Sequence, residues 1–149
     1  MDSTGLSDTM LNDAILMAVE AHRGQVDKAG APYILHPLRL MLQQHDMPRR
    51  LAAVLHDVVE DGDVPLAAIQ TKFGGDVAAA VDALTHREGE PYDAFVTRCA
   101  ANVIARDVKR SDIEDNLDLS RLPEITERDQ ARAEKYRKAL LILDAVARD

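Results

Sequence analysis

The sequence predicts an all-α fold in one domain. Aromatic residues make up only 3% of the 149 residues and tryptophan is absent, while alanine, leucine, aspartate and arginine dominate. This mixture, in which β-branched residues are thinly spread, favours helices that pack on helices. Apolar positions recur at helical spacing, and the breaks fall at proline, glycine, aspartate or asparagine. Neither a repeat nor a shift in composition divides residues 1–149, so we expect a single domain.

The helices follow one another in the order that these breaks set. We predict helices at about residues 8–23, 37–45, 48–61, 64–73, 77–86, 92–103 and 127–149, the sixth able to continue past residue 102 to about 118. Ser7 or Asp8 is suited to cap the first helix, Asp46 the third and Asp76 the fifth. Pro48 fits a first helical position, where its missing N–H is not needed. The fifth helix is almost purely alanine, valine and leucine, and we expect it to be the most buried.

Charge and cysteine content exclude several classes of protein. The chain has 26 acidic and 18 basic residues and a net charge of −8, which argues against a nucleic-acid polymer or a membrane surface as partner. Cys99 is the only cysteine, so a disulfide framework and a cysteine-rich zinc site are excluded and a core role is expected. No basic leader followed by an apolar run begins the sequence, and no segment approaches 18 continuous apolar residues. We expect a soluble, cytoplasmic protein.

Two histidines are followed directly by aspartate, and their surroundings separate them. His45-Asp46 lies in a polar run before a proline, where aspartate is a natural helix cap. His56-Asp57 lies inside an apolar helical segment, where an aspartate is costly to bury unless it is paired or bound to a cation. A continuous helix would stack His56 over Glu60 and place Asp57 beside Glu60 and Asp61. A bound divalent cation would relieve the repulsion among these acids; a solvated helix end is the alternative.

Further candidate ligands lie in two other segments. Asp112 and Asn116 share a helix face at four-residue spacing, whereas Asp115 is predicted to point elsewhere, and the stretch by itself is also typical of a solvated face. His36 lies at a junction of loop and helix, where a lone histidine is more often a packed, hydrogen-bonded residue than a ligand. Together, two imidazoles and two carboxylates from three helices would form a mixed nitrogen and oxygen site for Mn²⁺, Fe²⁺ or Zn²⁺. The absence of thiolates argues against structural zinc.

Three ordered motifs resemble a known family. The order His36, His56-Asp57, Asp112 is similar to the signature of the HD-domain metal-dependent phosphohydrolases. The segments AHRGQVDKAGAPYILHPLRL (21–40), AAVLHDVVEDG (52–62) and VKRSDIEDNLD (108–118) resemble the hydrolase domain of the Rel/SpoT alarmone enzymes, and VDALT (81–85) falls where that family has a similar run. The resemblance covers about residues 10–145 and is greatest to the stand-alone small alarmone hydrolases.

The resemblance implies a fold, an activity and a set of site residues. It implies a compact HD fold of about 8–10 helices, a Mn²⁺ cofactor with other divalent ions as alternatives, and hydrolysis of the 3′-pyrophosphate of (p)ppGpp to GDP or GTP plus pyrophosphate. By matching positions, it assigns four metal ligands, His36, His56, Asp57 and Asp112. It assigns Glu60 and Asp61 as the catalytic acidic pair that activates water, and Asn116 and Lys28 as residues near the substrate.

An acidic protein needs local cations to hold a nucleotide polyphosphate. Arg23 joins Lys28 in the first loop, and Lys109 lies beside a predicted ligand, so we expect these side chains to contact phosphate. Tyr136 is a candidate for stacking on the base, with packing within its own helix as the alternative, and Arg39 is expected at the surface.

Departures from the family pattern leave alternatives open. Asp27 stands where the family usually has an arginine associated with the base. A phosphohydrolase for another nucleotide, such as (p)ppApp or NADPH, is therefore the second hypothesis. A catalytically silent nucleotide-binding module is the third. The sequence leaves the oligomeric state open, a homo-oligomer included.

Overall fold

Helices and the turns between them form the whole of the chain that the structure describes. The computed structural model describes residues 6–147, which contain no β-strand. The helices are α1 (Asp8–Ala21), α2 (Leu35–Leu42), α3 (Met47–Leu55), α4 (Val58–Asp61), α5 (Leu66–Phe73), α6 (Gly75–Ala83), α7 (Tyr92–Ala100), α8 (Val103–Asn116) and α9 (Glu127–Ala147), with a 3₁₀ turn at Leu119–Arg121. The all-α prediction is confirmed. Residues 1–5, on which part of the expectation about a leader rests, and residues 148–149, the end of the last predicted helix, lie outside the described residues.

Capping residues set most of the helix starts that the sequence predicted. The Ser7 hydroxyl, rather than Asp8, accepts a hydrogen bond from the Met10 N–H at the start of α1. Asp46 accepts one from the Arg49 N–H at 2.9 Å and caps α3. Asp76 does not cap α6, because the helix already begins at Gly75; the carboxylate lies in the first turn instead, where it complements the helix dipole.

Two long predicted helices are each divided in the structure. The predicted helix 48–61 is interrupted at His56 and Asp57, between α3 and α4. The His56 N–H contacts the Ala53 carbonyl oxygen rather than the carbonyl four residues back, which tightens the end of α3. The second division is at Asn102, whose side chain accepts from the Ala105 N–H at 2.9 Å and caps α8. An asparagine oxygen that bonds the backbone in this way starts a new helix instead of continuing the previous one.

The core is centred on α3. Its last five residues, Leu51–Leu55, have no exposed surface, and the helix packs against α1, α2, α6 and α8. The expectation that residues 77–86 are the most buried is wrong, since Ala79 is exposed. Burial of a leucine or valine side chain stabilises the fold by about 1.5–3 kcal/mol. The core therefore holds α3 in place, and with it His56, which directly follows this helix. Cys99 is a buried core residue, as predicted.

A second, smaller cluster joins α7, α8 and α9. Val96, Ile113 and Leu143 are fully buried in it. α8 therefore joins the two clusters, because Ala105 and Val108 belong to the larger one and Ile113 to the smaller one. Within the described part of the chain, no helix has the length and apolar character needed to cross a bilayer.

Candidate metal centre and adjoining cavities

Three predicted ligands from separate elements meet in the interior. His36 lies in the first turn of α2, His56 at the break after α3, and Asp112 in α8. The His36 Nε2 atom is 2.8 Å from Asp112 Oδ1, and the His56 Nε2 atom is 3.7 Å from the same oxygen. All three residues are buried, and their ligand atoms lie within 4.8 Å of one another. This spacing is suited to a single cation.

The fourth predicted ligand, Asp57, borders this group on the side of α4. Its Oδ2 atom is 3.1 Å from His56 Nε2 and accepts a hydrogen bond from the Tyr33 hydroxyl. Asp57 also forms a second group of converging carboxylates with Glu60 and Asp61, which are exposed. His56 and Glu60 do not stack as a continuous helix predicted, because the break separates them into these two groups.

In each histidine, the hydrogen bond made by Nδ1, the ring nitrogen that faces away from the site, fixes the direction of the Nε2 atom. His56 Nδ1 lies 2.7 Å from the Ala53 carbonyl oxygen, which can only accept, so Nδ1 carries a proton and Nε2 offers its lone pair. This Nε2 atom is buried and makes no hydrogen bond of good geometry, although Asp57 Oδ2 lies 3.1 Å and Asp112 Oδ1 3.7 Å from it. A buried polar atom without a partner costs about 1–3 kcal/mol, and a cation placed between Nε2 and the Asp112 carboxylate would satisfy it. The donor set of two imidazoles and carboxylate oxygens therefore fits a borderline divalent ion.

The ring of His36 is held by Asp115, whose side chain was predicted to point away from the face of Asp112. Asp115 Oδ2 accepts from His36 Nδ1 at 2.6 Å, and both Asp115 oxygens accept from Arg39 at 2.9 Å. The prediction that Asp115 points elsewhere is wrong. Arg39 is 31% exposed, and its pairing with Asp115 was not predicted. A carboxylate on the outer nitrogen of a ligating histidine fixes its ring orientation. The three-residue spacing from Asp112 to Asp115 was the available signal.

The charges of this cluster compensate one another. Burial lowers the pKa of His36, but the hydrogen bonds to Asp112 and Asp115 outweigh it and raise the pKa to about 9. Burial raises the pKa of Asp112, but the charge of Lys109 and the bond to His36 hold it well below its usual range. The region between His36 Nε2 and Asp112 Oδ1, which are 2.8 Å apart, is therefore suited to a positive charge. A divalent cation bound there would require the neutral imidazole and would displace a proton.

The surroundings of the acidic pair on α4 raise the pKa of both carboxyl groups. Partial burial and the neighbouring Asp57 raise the pKa of both Glu60 and Asp61. Glu60 Oε1 accepts from the His86 N–H at 2.8 Å, which fixes one of its oxygens and leaves the other free. A raised pKa makes a carboxylate a stronger base, so Glu60 and Asp61 are suited to accept a proton from a water molecule.

Two adjoining cavities contain these groups. The inner cavity, of about 170 Å³, is lined by the metal-ligand candidates, the acidic pair and Lys109. The outer cavity, of about 370 Å³, lies between the loop after α1, the end of α8 and the start of α9. Tyr33, His36 and Asn116 line both. The outer volume is in the range of small-ligand sites, and the shared residues place the two cavities side by side.

The structure brings four of the five predicted substrate-binding residues to these cavities. Lys28, Asn116 and Tyr136 line the outer cavity, and Lys109 the inner one. Arg23 lines neither: its side chain is 70% exposed and pairs with Glu20 on the surface.

Lys109 occupies a special position among them. It is 7% exposed, its Nζ atom donates to Asp112 Oδ2 at 2.9 Å, and the same atom lies 4.6 Å from the centre of the Phe95 ring. Its positive charge is therefore fixed at the floor of the inner cavity, beside the proposed ligand.

Two further cationic residues, Arg121 and Arg132, line the outer cavity and were not predicted as site residues. Arg121 pairs with Asp118, and Arg132 pairs with Asp129. Within residues 6–147, Lys28 forms no ion pair, so it is the lining cation most available to a phosphate. No spacing in the sequence indicated Arg121 or Arg132, because the cavity forms only when the end of α8 meets the start of α9.

Comparison with known proteins identifies the family. Residues 14–149 match the HD domain family. The chain is similar to a guanosine-3′,5′-bis(diphosphate) 3′-pyrophosphohydrolase of Vibrio cholerae, with 38% identity over 79 residues, which are 50% of this chain and 11% of that protein. It is similar to the bifunctional (p)ppGpp synthase/hydrolase SpoT of Escherichia coli, with 37% identity over 79 residues, again 50% and 11%. A probable GTP pyrophosphokinase of Mycobacterium leprae is 32% identical over 107 residues, 66% of this chain and 14% of that protein.

The sequence alignments cover a small share of each curated relative, whereas a structural superposition covers nearly the whole of a solved structure. The chain spans only about a tenth of the length of the curated relatives named above. A solved structure, described as a metazoan ortholog of SpoT that hydrolyzes ppGpp and plays a role in starvation responses, superposes with a TM-score of 0.76 at 23% identity. The superposition covers 96% of both chains and shows a shared fold. Because the HD domain family matches residues 14–149, and His56-Asp57 follows α3 at the candidate metal centre, this chain belongs to the HD domain family.

Proposed function

We propose that this chain hydrolyses the 3′-pyrophosphate of (p)ppGpp, releasing GDP or GTP and pyrophosphate, with Mn²⁺ as its cofactor. The observation that carries the proposal is the buried Nε2 atom of His56, which makes no hydrogen bond but lies close to the carboxylates of Asp57 and Asp112. The acidic pair and a cavity in the small-ligand range adjoin it. The printed activities of the Vibrio cholerae and Escherichia coli relatives support the choice of substrate.

The proposed cation ligands are His36, His56, Asp57 and Asp112. A bound divalent ion lowers the pKa of water from 15.7 to values near 7 and compensates phosphate charge. The protein keeps the ligand atoms in place: the Ala53 carbonyl oxygen orients His56, Asp115 orients His36, and Lys109 holds one oxygen of Asp112. The second oxygen of Asp112 is then directed at the two imidazole nitrogens.

The acidic pair performs the proton transfer in this proposal. Glu60 or Asp61 takes a proton from the attacking water, whose oxygen bonds to the phosphorus next to the 3′ oxygen. The bond between that phosphorus and the 3′ oxygen breaks, and the proton held by the carboxylate is passed to the 3′ oxygen, so a hydroxyl and pyrophosphate form. A base placed in this way contributes about 10²–10⁴ in rate.

The outer cavity is the proposed site for the nucleoside and its 5′ phosphates. Lys28 offers a point charge for phosphate, Asn116 lies where the two cavities join, and Tyr136 offers an aromatic ring. The lining of the outer cavity has four lysine or arginine and four aspartate residues, so it lacks the net negative charge of the whole chain, and Lys28 is the cation there without an ion pair among the described residues. We infer no role for Arg23 in this arrangement, since it lies outside both cavities.

Asp27 favours a second candidate function. The Asp27 Oδ1 atom accepts hydrogen bonds from the Ala29 and Ala31 N–H groups, both at 2.9 Å, so the carboxylate closes its own loop at the rim of the outer cavity. An acid in place of the family's base-associated arginine supports a phosphohydrolase for another purine nucleotide, such as (p)ppApp or NADPH.

A nucleotide panel tests the proposal. The purified protein with Mn²⁺ is incubated with ppGpp, pppGpp, pppApp and NADPH, and nucleotide products, pyrophosphate and phosphate are measured. Release of pyrophosphate from ppGpp supports the proposal. Turnover of pppApp or NADPH without ppGpp supports the second candidate, and nucleotide binding without turnover of any of the four supports a silent module.

A pair of matched variants tests the site. Asp57→Ala is expected to abolish turnover, because it removes a ligand that also borders the acidic pair. His45→Ala is the control, since the other His-Asp pair lies away from both cavities and its histidine is exposed. Undiminished activity of the Asp57→Ala protein would refute the site assignment.

A further inference from the structure

The end of α1 lies directly against the end of α4. A Cβ atom on Gly62, the residue after α4, would lie 2.5 Å from Ala21 Cβ and 2.9 Å from the Val58 carbonyl oxygen. No real side chain tolerates such contacts with two fixed groups, so this close approach requires glycine. α4 consists of only four residues, Val58–Asp61. One turn is too short to hold its own geometry in water, so the direction of the acidic pair that it carries depends on its neighbours.

A two-residue link from α1 holds α4 by its main chain. Gln25 Nε2 donates to the Asp61 carbonyl oxygen at 3.0 Å. Gln25 Oε1 lies 2.9 Å from His22 Nδ1, which fixes the orientation of the amide and makes Nδ1 the donor. His22 is 2% exposed and ends α1. A buried ring therefore determines the position of the amide, and the amide holds the end of α4.

The same ring also supports the other side of the inner cavity. The ring of Tyr33 meets His22 edge to face, with centroids 4.9 Å apart, and the Tyr33 hydroxyl donates to Asp57. His22 itself lines neither cavity, and neither does Gln25. Their contacts therefore reach the acidic pair and Asp57 only through other residues.

We propose that His22 and Gln25 are positioning residues that align the acidic pair of α4 with the cavity in which the phosphate is attacked. The expected effect on turnover rests on the function proposed above. The contacts by which His22 and Gln25 hold α4 exist without substrate and do not depend on that function. A misplacement of about 1 Å in a reacting group costs about 10²-fold in rate. Loss of the link is therefore expected to affect turnover and to leave nucleotide binding in the outer cavity intact.

The test replaces Gln25 by methionine, which has a similar size and removes all three hydrogen bonds of the side chain, those to His22 and to the carbonyl oxygens of Ala21 and Asp61. Hydrogen exchange of the amides in residues 58–62, kcat, KM and the Mn²⁺ dissociation constant are measured against Gln70→Met, an exposed glutamine on α5. We expect faster exchange in 58–62 and a kcat lowered about 10- to 100-fold, with KM and the Mn²⁺ constant within about twofold of the control. Unchanged exchange overturns the proposal, and so does a loss confined to KM or to Mn²⁺ affinity.

A second pair of variants, both at position 22, separates the loss of the hydrogen bond from a general loss of folding. Asparagine at position 22 places an amide N–H near the position of the imidazole Nδ1–H, whereas alanine does not. We expect His22→Asn to retain more of kcat and of the exchange protection than His22→Ala, and equal values for the two would contradict a role of the hydrogen bond. If the wild-type protein turns over no nucleotide, the proposed function fails, and the exchange measurement still decides whether the link holds α4.

Discussion

Replacement of Asp115 by asparagine tests how the candidate metal centre is held together. The carboxylate accepts three hydrogen bonds, one from His36 Nδ1 at 2.6 Å and two from Arg39 at 2.9 Å. Its side chain is only 6% exposed, so water does not easily replace a lost partner. Asparagine has the same shape but only one accepting oxygen, and its NH₂ group must face a donor on one side. At least one of the three bonds is therefore lost, together with the charge that makes them strong.

The expected effect is on metal affinity. Removal of a partner from the outer nitrogen of a ligating histidine costs about 10- to 100-fold in affinity, or about 1.4–2.7 kcal/mol. Titration calorimetry with Mn²⁺ at constant pH measures this directly on the substrate-free protein. The stability of the metal-free protein is also expected to fall, because Arg39 loses the carboxylate that neutralises it.

The control is Asp118→Asn on the same side of the outer cavity. The Asp118 carboxylate bonds Ser120 and Arg121, is 49% exposed and makes no contact with His36. We expect its Mn²⁺ affinity to stay within about twofold of wild type, as for most surface charges. If Asp115→Asn binds Mn²⁺ as tightly as the wild-type protein while remaining folded, the argument that Asp115 orients a ligand is refuted.

Two further predictions concern stability. Gly62→Ala is expected to destabilise the fold by about 1–3 kcal/mol through overpacking against Ala21. Gly75→Ala, with no atom within 4 Å of the added Cβ, should stabilise the fold by about 0.4–1 kcal/mol. Urea denaturation measures the free energy of unfolding of both variants, and equal effects would count against the close approach at Gly62. The hydrogen bond from Arg98 lowers the pKa of Glu90 to about 2, so its stabilisation is fully present above about pH 4.3 and is lost as the pH falls towards 2. The difference in Tm between wild type and Glu90→Gln should therefore shrink over that interval, and a constant difference would contradict the pairing.

The local features of the chain could be predicted because they depend on near neighbours. Composition and periodicity were sufficient for the all-α class, and Ser7 and Asp46 cap helices through bonds to residues three positions away. His56-Asp57 could be separated from the pair at 45–46 because an aspartate inside an apolar run needs a partner. The four ligand candidates and the acidic pair were named from their motifs, and the structure brings them to one cavity.

Features that depend on distant contacts were not predictable in this way. The break at His56 stayed hidden because residues 48–61 have good helical periodicity, and only the packing of α3 in the core makes the shorter helix favourable. Asp76 was expected as a cap, but the glycines before it allow the helix to begin earlier. Arg23 was grouped with Lys28 by proximity in the sequence, yet the loop turns between them and places them on different surfaces.

The sequence alone determined the identity of the groups, and the tertiary structure decided which of them work together. Helical spacing relates residues three or four apart, so it could place Asp112 and Asn116 on one face. The bond from His36 to Asp115 joins residues 79 positions apart, and the one from Gln25 to the Asp61 carbonyl joins residues 36 apart. No local rule specifies such pairs, because they form only when α1, α2 and α8 pack around α3. The orientation of both the candidate ligands and the acidic pair is therefore a property of that packing.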